Sequence, residues 1–134
     1  MKVLVYGAGA IGGYLGGQLA LAGHDVVLVT RPAAAQAIAA GGLLITQEGA
    51  THAAPVRAVT HLEEAFTGMK PDLIVLGMKS YDLSPAVAAL ASLCPQPRQL
   101  LTTQNGIGVE DLVAARFDPA RILAGTVTIP VSRA

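Results

Sequence analysis

Short apolar runs recur along the chain, and between them the apolar residues fall into helical spacing. Lys2-Val3-Leu4-Val5-Tyr6 has the character of a buried strand and stops at Gly7. From Ala10 to Ala22 the period changes. Ile11, Leu15 and Leu19 recur every four residues, the interval that lines one face of a helix. Gly23 then stops the pattern. Val26-Val27-Leu28-Val29 predicts a second strand, closed by Thr30-Arg31-Pro32, and the Ala-rich stretch from Ala33 to Ala40 predicts a helix ended by Gly41-Gly42. Leu43 to Thr46 and Pro55 to Val59 predict two strands around a polar turn at Gln47-Glu48-Gly49. A short helix near Leu62 to Phe66 precedes a fully apolar strand, Asp72 to Leu76. The pattern continues with a helix from Leu83 to Leu93, a strand from Leu100 to Thr103, a helix from Gly108 to Arg116 and a last strand from Ile122 to Ile129.

Strands that alternate with helices return by right-handed crossovers. The expected fold is therefore α/β, a Rossmann-type doubly wound and largely parallel sheet with helices on both faces. No linker, repeat or low-complexity tract divides the 134 residues, which suit one domain, a dinucleotide-binding domain over residues 1–134. Hydrophobic residues make up 52% of the chain and aromatic residues only 4%, so Ala, Val, Leu and Ile must build the interior, as in a covered parallel sheet. Nine Lys+Arg balance nine Asp+Glu, which gives no basic surplus for nucleic acid or an anionic membrane. The uncharged stretch from Val3 to Gly23 has the outline of a signal peptide or a membrane span. Its seven glycines dilute the hydrophobicity, however, and it divides into a strand and then a helix, so a cytoplasmic protein is expected. Cys94 is the single cysteine, which excludes an internal disulfide. It falls in the apolar run of Val87, Leu90 and Leu93 and reads as a core residue rather than a nucleophile.

Ligands of such sheets bind beyond the carboxyl ends of the strands. The first strand is followed by Gly7-Ala8-Gly9-Ala10-Ile11-Gly12, which is G-x-G-x-x-G between a strand and a helix. Gly7 permits the tight turn, Gly9 lets the backbone approach a pyrophosphate, and Gly12 lets the helix press onto the strand. The free amides at the helix start then meet the phosphate charge. Gly16 and Ala20 extend the small stripe from Gly12 by fours and suggest helix–sheet packing, whereas Gly13 and Gly17 receive no role from the sequence. After the second strand an NAD-binding domain usually carries Asp or Glu for the ribose hydroxyls. Here Thr30 and Arg31 stand instead, and Arg can grip a 2′-phosphate, which argues for NADP(H). Lys79, in Gly77-Met78-Lys79-Ser80, can hold a ribose hydroxyl or a substrate carboxylate at the end of its strand. Asn105, in Gln104-Asn105-Gly106, is by itself an ordinary turn residue and gains weight only with Lys79 in the same crevice. His24, His52 and His61 lack ligand spacing, so no metal site is read, and no Ser/His/Asp set or paired acid for hydrolysis is visible.

With these motifs in order, the chain resembles the ketopantoate reductase (2-dehydropantoate 2-reductase) family. The resemblance rests on GAGAIGGYLG from Gly7, AGHDVVLVTR ending at Arg31, GGLLI, VLGMKS with Lys79, QNGIGVEDL with Asn105, and AGTVTIP near the end. It implies NADPH-dependent reduction of a 2-oxo acid, ketopantoate, to pantoate on the route to pantothenate and coenzyme A. By the same resemblance Gly7, Ala8, Gly9, Ala10, Ile11 and Gly12 hold the pyrophosphate and Arg31 the 2′-phosphate. Lys79 and Asn105 sit at the nicotinamide ribose, Asn105 also touches substrate, and Val131 passes near the nicotinamide. Family members continue into a helical second domain that supplies the lysine general acid, so no catalytic residue is assigned within this chain. The expectation is a cofactor-binding half that binds NADPH, turns over ketopantoate negligibly, and self-associates through the face its second domain would cover. Two rivals remain: a stand-alone nucleotide-sensing module, and an NADP-linked dehydrogenase of another oxo or imino acid.

Overall fold

A computed structural model of the chain describes residues 1–104 and 108–125. In chain order the first elements are β1 (Lys2–Tyr6), α1 (Ala10–Leu21), β2 (Asp25–Val29), α2 (Pro32–Gly41), β3 (Leu43–Gln47) and β4 (Ala50–Ala54). They are followed by β5 (Val56–Val59), α3 (Leu62–Ala65), β6 (Leu73–Leu76), α4 (Leu83–Leu93), β7 (Leu100–Thr102), α5 (Val109–Ala114) and β8 (Ile122–Ala124). Six strands form one parallel sheet in the order β5-β2-β1-β6-β7-β8, which is the doubly wound α/β arrangement expected from the sequence.

Both faces of this sheet are covered, as its apolar strands require. Val3 and Val5 of β1 point to one face, where Val26, Leu28 and Val75 meet Ala20 of α1 and Ile45 of β3. Leu4 points to the other, where Val27, Ile74 and Leu76 meet Leu62 of α3, Val87 and Leu90 of α4, and Val113 of α5. Alternation within a single strand thus feeds two separate cores. Cys94 caps α4 and packs against the second of these cores, and burial pushes its thiol pKa up, which fits a packing role.

One pairing differs from the expectation. The strand at Pro55 to Val59 does not return against Leu43 to Thr46. Instead β3 pairs antiparallel with β4, and β5 joins the main sheet beside β2. Glu48 and Gly49 make the two-residue connection with φ of 53° and 78°, the left-handed turn that matches the twist of a tight hairpin. Four of the five residues of β4 are exposed, so it carries no apolar alternation by which it could be recognised. Positions 126–129 of the expected last strand lie outside the described residues. No helix among the described residues is long and apolar enough to cross a membrane.

The glycines of α1 sort by what surrounds them. A Cβ on Gly16 would stand 2.7 Å from Leu28 Cδ2 and 3.1 Å from Val5 Cγ2, so the helix rests directly on the sheet. A Cβ on Gly17 would meet Ile45 at 2.6 Å, which gives this glycine its reason: the β3–β4 hairpin packs there. Gly13 has nothing within 4 Å. In urea unfolding of the ligand-free chain, Gly13→Ala is expected to stabilise by about 0.5–1 kcal/mol, and Gly16→Val to destabilise by about 1–3 kcal/mol. Equal effects at the two positions would contradict this packing.

Candidate functional site

From β1 the chain winds outward to β2 and β5, then returns across β1 to start β6 and wind the other way. The switch point between β1 and β6 leaves a crevice above their carboxyl ends, because α1 and α4 leave toward opposite faces. The residues that follow β1, β2, β6 and β7 form the rim of this crevice.

The first loop turns on Gly7, whose φ of +85° is open to glycine and strained for other residues. Its amide and that of Ala8 both donate to the Val29 carbonyl at 3.1 Å, and the Gly9 amide donates back to the Gly7 carbonyl at 2.9 Å. Gly9 is the N-cap of α1 and offers no capping side chain, and the first turn carries no acidic residue. The positive end of α1 is thereby left to an external anion. A Cβ on Gly9 would meet nothing within 4 Å, so this glycine faces open space in the crevice. A backbone cradle of this kind fits a dinucleotide pyrophosphate.

Three glycines interlock beside it. A Cβ on Gly12 would lie 2.7 Å from the Gly7 carbonyl oxygen, and one on Gly77 would lie 2.6 Å from the same oxygen and 3.0 Å from Gly12 Cα. A Cβ on Gly7 would strike Met78 at 2.7–2.8 Å. Gly77 lies outside the glycine fingerprint, yet it is as confined as Gly7 and Gly12 within it. Its amide donates to the Tyr6 carbonyl at 2.8 Å, which seats the β6 turn on the end of β1.

At the end of β2, the Thr30 hydroxyl donates to the Ala8 carbonyl at 3.3 Å and ties this turn to the glycine loop. Arg31 follows as the exposed N-cap residue of α2. At the end of β6, Lys79 is exposed and opens a single 3₁₀ turn, Ser80–Asp82. The ion pair found among the described residues, Arg98 with Asp72 at 3.1 Å, lies at the amino ends of the strands and involves neither cation. The structure thus brings Gly7 to Gly12, Arg31 and Lys79 to one edge of the sheet. Asn105 and Val131 lie outside the described residues.

Thr103 and Gln104, which follow β7, are buried and hydrogen-bonded to the ends of β6. The motif reading includes Gln104 beside Asn105 but gives it no role. Its signal in the sequence is faint: a primary amide directly after an apolar strand. A shallow concavity of about 480 Å³ lined by Pro95, Arg98, Asp118 and Arg121 lies at the opposite rim, away from the strand ends where this fold binds ligands. Among the described residues, no three His, Cys, Asp or Glu side chains gather around a common point.

Comparison with known proteins gives a consistent result. The family described as ketopantoate reductase PanE/ApbA matches residues 3–134. A 2-dehydropantoate 2-reductase of Mesorhizobium japonicum is 42% identical over 108 residues, covering 80% of this chain and 32% of that protein. The crystal structure of a 2-dehydropantoate 2-reductase from Geobacter metallireducens matches with a TM-score of 0.86 at 30% identity, over 100% of this chain and 44% of that one. A D-mandelate dehydrogenase solved with NADH and anilino(oxo)acetate matches with a TM-score of 0.81 at 30% identity, over 94% of this chain and 40% of that one. In each case the chain spans less than half of the relative's length.

The glycine interlock is testable without ligand. Gly77→Ala sets a methyl group against backbone atoms that have no rotamer to yield, and is expected to cost about 1–3 kcal/mol in urea unfolding. Gly9→Ala, with open space around it, should cost clearly less. Equal losses would show that the two positions are not packed as described.

Proposed function

The chain belongs to the ketopantoate reductase family, and on that footing we propose that it is the cofactor-binding portion of an NADPH-dependent 2-oxo acid reductase. The observation that carries this reading is the cradle at the switch point: an uncapped helix start, a glycine facing open space, and an exposed arginine at the end of β2. In this reading the loop from Gly7 to Gly9 shapes the cradle, the amides of Ala10, Ile11 and Gly12 at the start of α1 receive the pyrophosphate, and Arg31 pairs with the 2′-phosphate. A carboxylate there would repel that phosphate, whereas a guanidinium forms charge-assisted hydrogen bonds with it. Lys79 and Asn105 hold the nicotinamide ribose, with Asn105 reaching the substrate and Val131 near the nicotinamide ring.

Bound there, the cofactor would supply hydride for C2 of the 2-oxo acid, ketopantoate in the parent reaction of the family. The carbonyl oxygen gains charge in that step and needs a proton donor in a closed site. We assign this donor to the family's helical second domain and not to Lys79, which the reading uses for orientation. The setting is the cytoplasm, in keeping with a single unpaired cysteine.

A second reading has one observation in its favour. The D-mandelate dehydrogenase whose fold this chain shares was solved with NADH, so a dehydrogenase of another 2-oxo acid that uses NADH is the rival. Arg31 separates the two. In calorimetric titrations of the chain, NADPH is expected to bind about 10- to 100-fold more tightly than NADH, the margin of a charged hydrogen-bonded contact. Arg31→Ala should erase most of that margin and leave NADH affinity nearly unchanged. Equal affinities in the parent chain, or a preference for NADH, would overturn the NADPH assignment.

A further inference from the structure

Thr102, Thr103 and Gln104 are consecutive, and they are the buried polar side chains among the described residues. A buried amide is costly unless its hydrogen bonds are made, and those of Gln104 are made with direction. Its Nε2 donates to the Leu76 carbonyl at 2.8 Å and to the Met78 carbonyl at 2.7 Å. Its Oε1 accepts from the Thr103 amide at 3.2 Å, and the Thr103 hydroxyl adds a second donor to the Leu76 carbonyl at 2.8 Å. Both N–H groups of one amide therefore close on the two carbonyls that flank Gly77. That is the residue pressed against Gly7 and Gly12, and Lys79 lies two positions further on.

We propose that Gln104 is a positioning residue for the cofactor crevice: it clamps the turn from Gly77 to Lys79 against the glycine loop and so fixes Lys79 over one half of the bound dinucleotide. The inference rests on the cofactor reading above. A leucine would fill the space, leave the Met78 carbonyl without its side-chain donor and leave the Leu76 carbonyl with the Thr103 hydroxyl alone. A glutamate would add a third acceptor to two carbonyl oxygens, except when protonated, when its single O–H could restore one bond. The clamp acts on one side of the switch point only. The β1–β2 half carries Arg31 and faces the adenosine of the dinucleotide, and the β6–β7 half carries Lys79 and faces its other nucleotide.

The test compares NADPH with adenosine 2′,5′-bisphosphate, which presents only the adenosine half, on the chain and on Gln104→Leu. Backbone amide exchange of both proteins is followed without ligand. The variant is expected to bind NADPH about tenfold more weakly, the scale of one to two lost hydrogen bonds, and to bind the bisphosphate as the parent does. Amide exchange should quicken from Gly77 to Lys79 and stay unchanged in β1 and β2. Unchanged NADPH binding, or an equal loss for both ligands, would overturn the proposal. Should Gln104→Leu fail to fold, Gln104→Glu serves instead. Its NADPH affinity relative to the parent should recover as pH falls through the carboxyl titration, with the bisphosphate ratio flat, and a flat NADPH ratio would overturn the clamp. If the parent chain binds neither ligand, the cofactor reading fails, and the exchange at Gly77 to Lys79 still decides whether the clamp exists.

Discussion

Three stretches of backbone meet above the sheet with no room for a side chain among them. Gly7, Gly12 and Gly77 stack there, with the Gly7 carbonyl oxygen at the centre. Everything else in the crevice depends on that contact. Gly12 lets α1 begin close enough to β1 for its uncapped amides to point into the crevice, and Gly77 lets the turn after β6 close beside it. The helix is then held down by Gly16 against Leu28 and Val5, and by Gly17 against the β3–β4 hairpin. A helix with so many glycines gives up intrinsic stability and regains it through packing on both its sides.

Much of this was legible in the chain. The buried strands β1, β2 and β6 are continuous apolar runs, and α1 combines a helical period with a fingerprint whose glycines have separate steric tasks. The hairpin was not legible in full, because a strand such as Ala50–Ala54, exposed on nearly every residue, leaves no periodic trace. Gly17 stayed unexplained because the residue that crowds it, Ile45 of β3, is distant in sequence, and no local pattern records where that strand packs on α1. Gly77 and Gln104 were hidden differently. Each acts through tertiary contact with a loop distant in sequence, and neither hydrophobic period nor local turn chemistry records such contacts.

The crevice divides its work between two kinds of group. Backbone amides and glycines supply shape and a partial positive charge that no solvent-exposed side chain needs to deliver. The cations, Arg31 and Lys79, stand at the ends of β2 and β6 on either side of the switch point, exposed and outside the ion pairing found among the described residues. Identity with curated relatives spans less than half of their length. The function proposed for this crevice is accordingly recognition of the cofactor.

The most direct measurement is an amide chemical-shift map of the chain titrated with NADPH. Saturable shifts are expected from Ala8 to Gly13, at Arg31 and from Gly77 to Lys79, all at the carboxyl edge of the sheet. Shifts centred instead on the opposite rim, around Arg98 and Arg121, or no shifts at saturating cofactor, would contradict a cofactor site there.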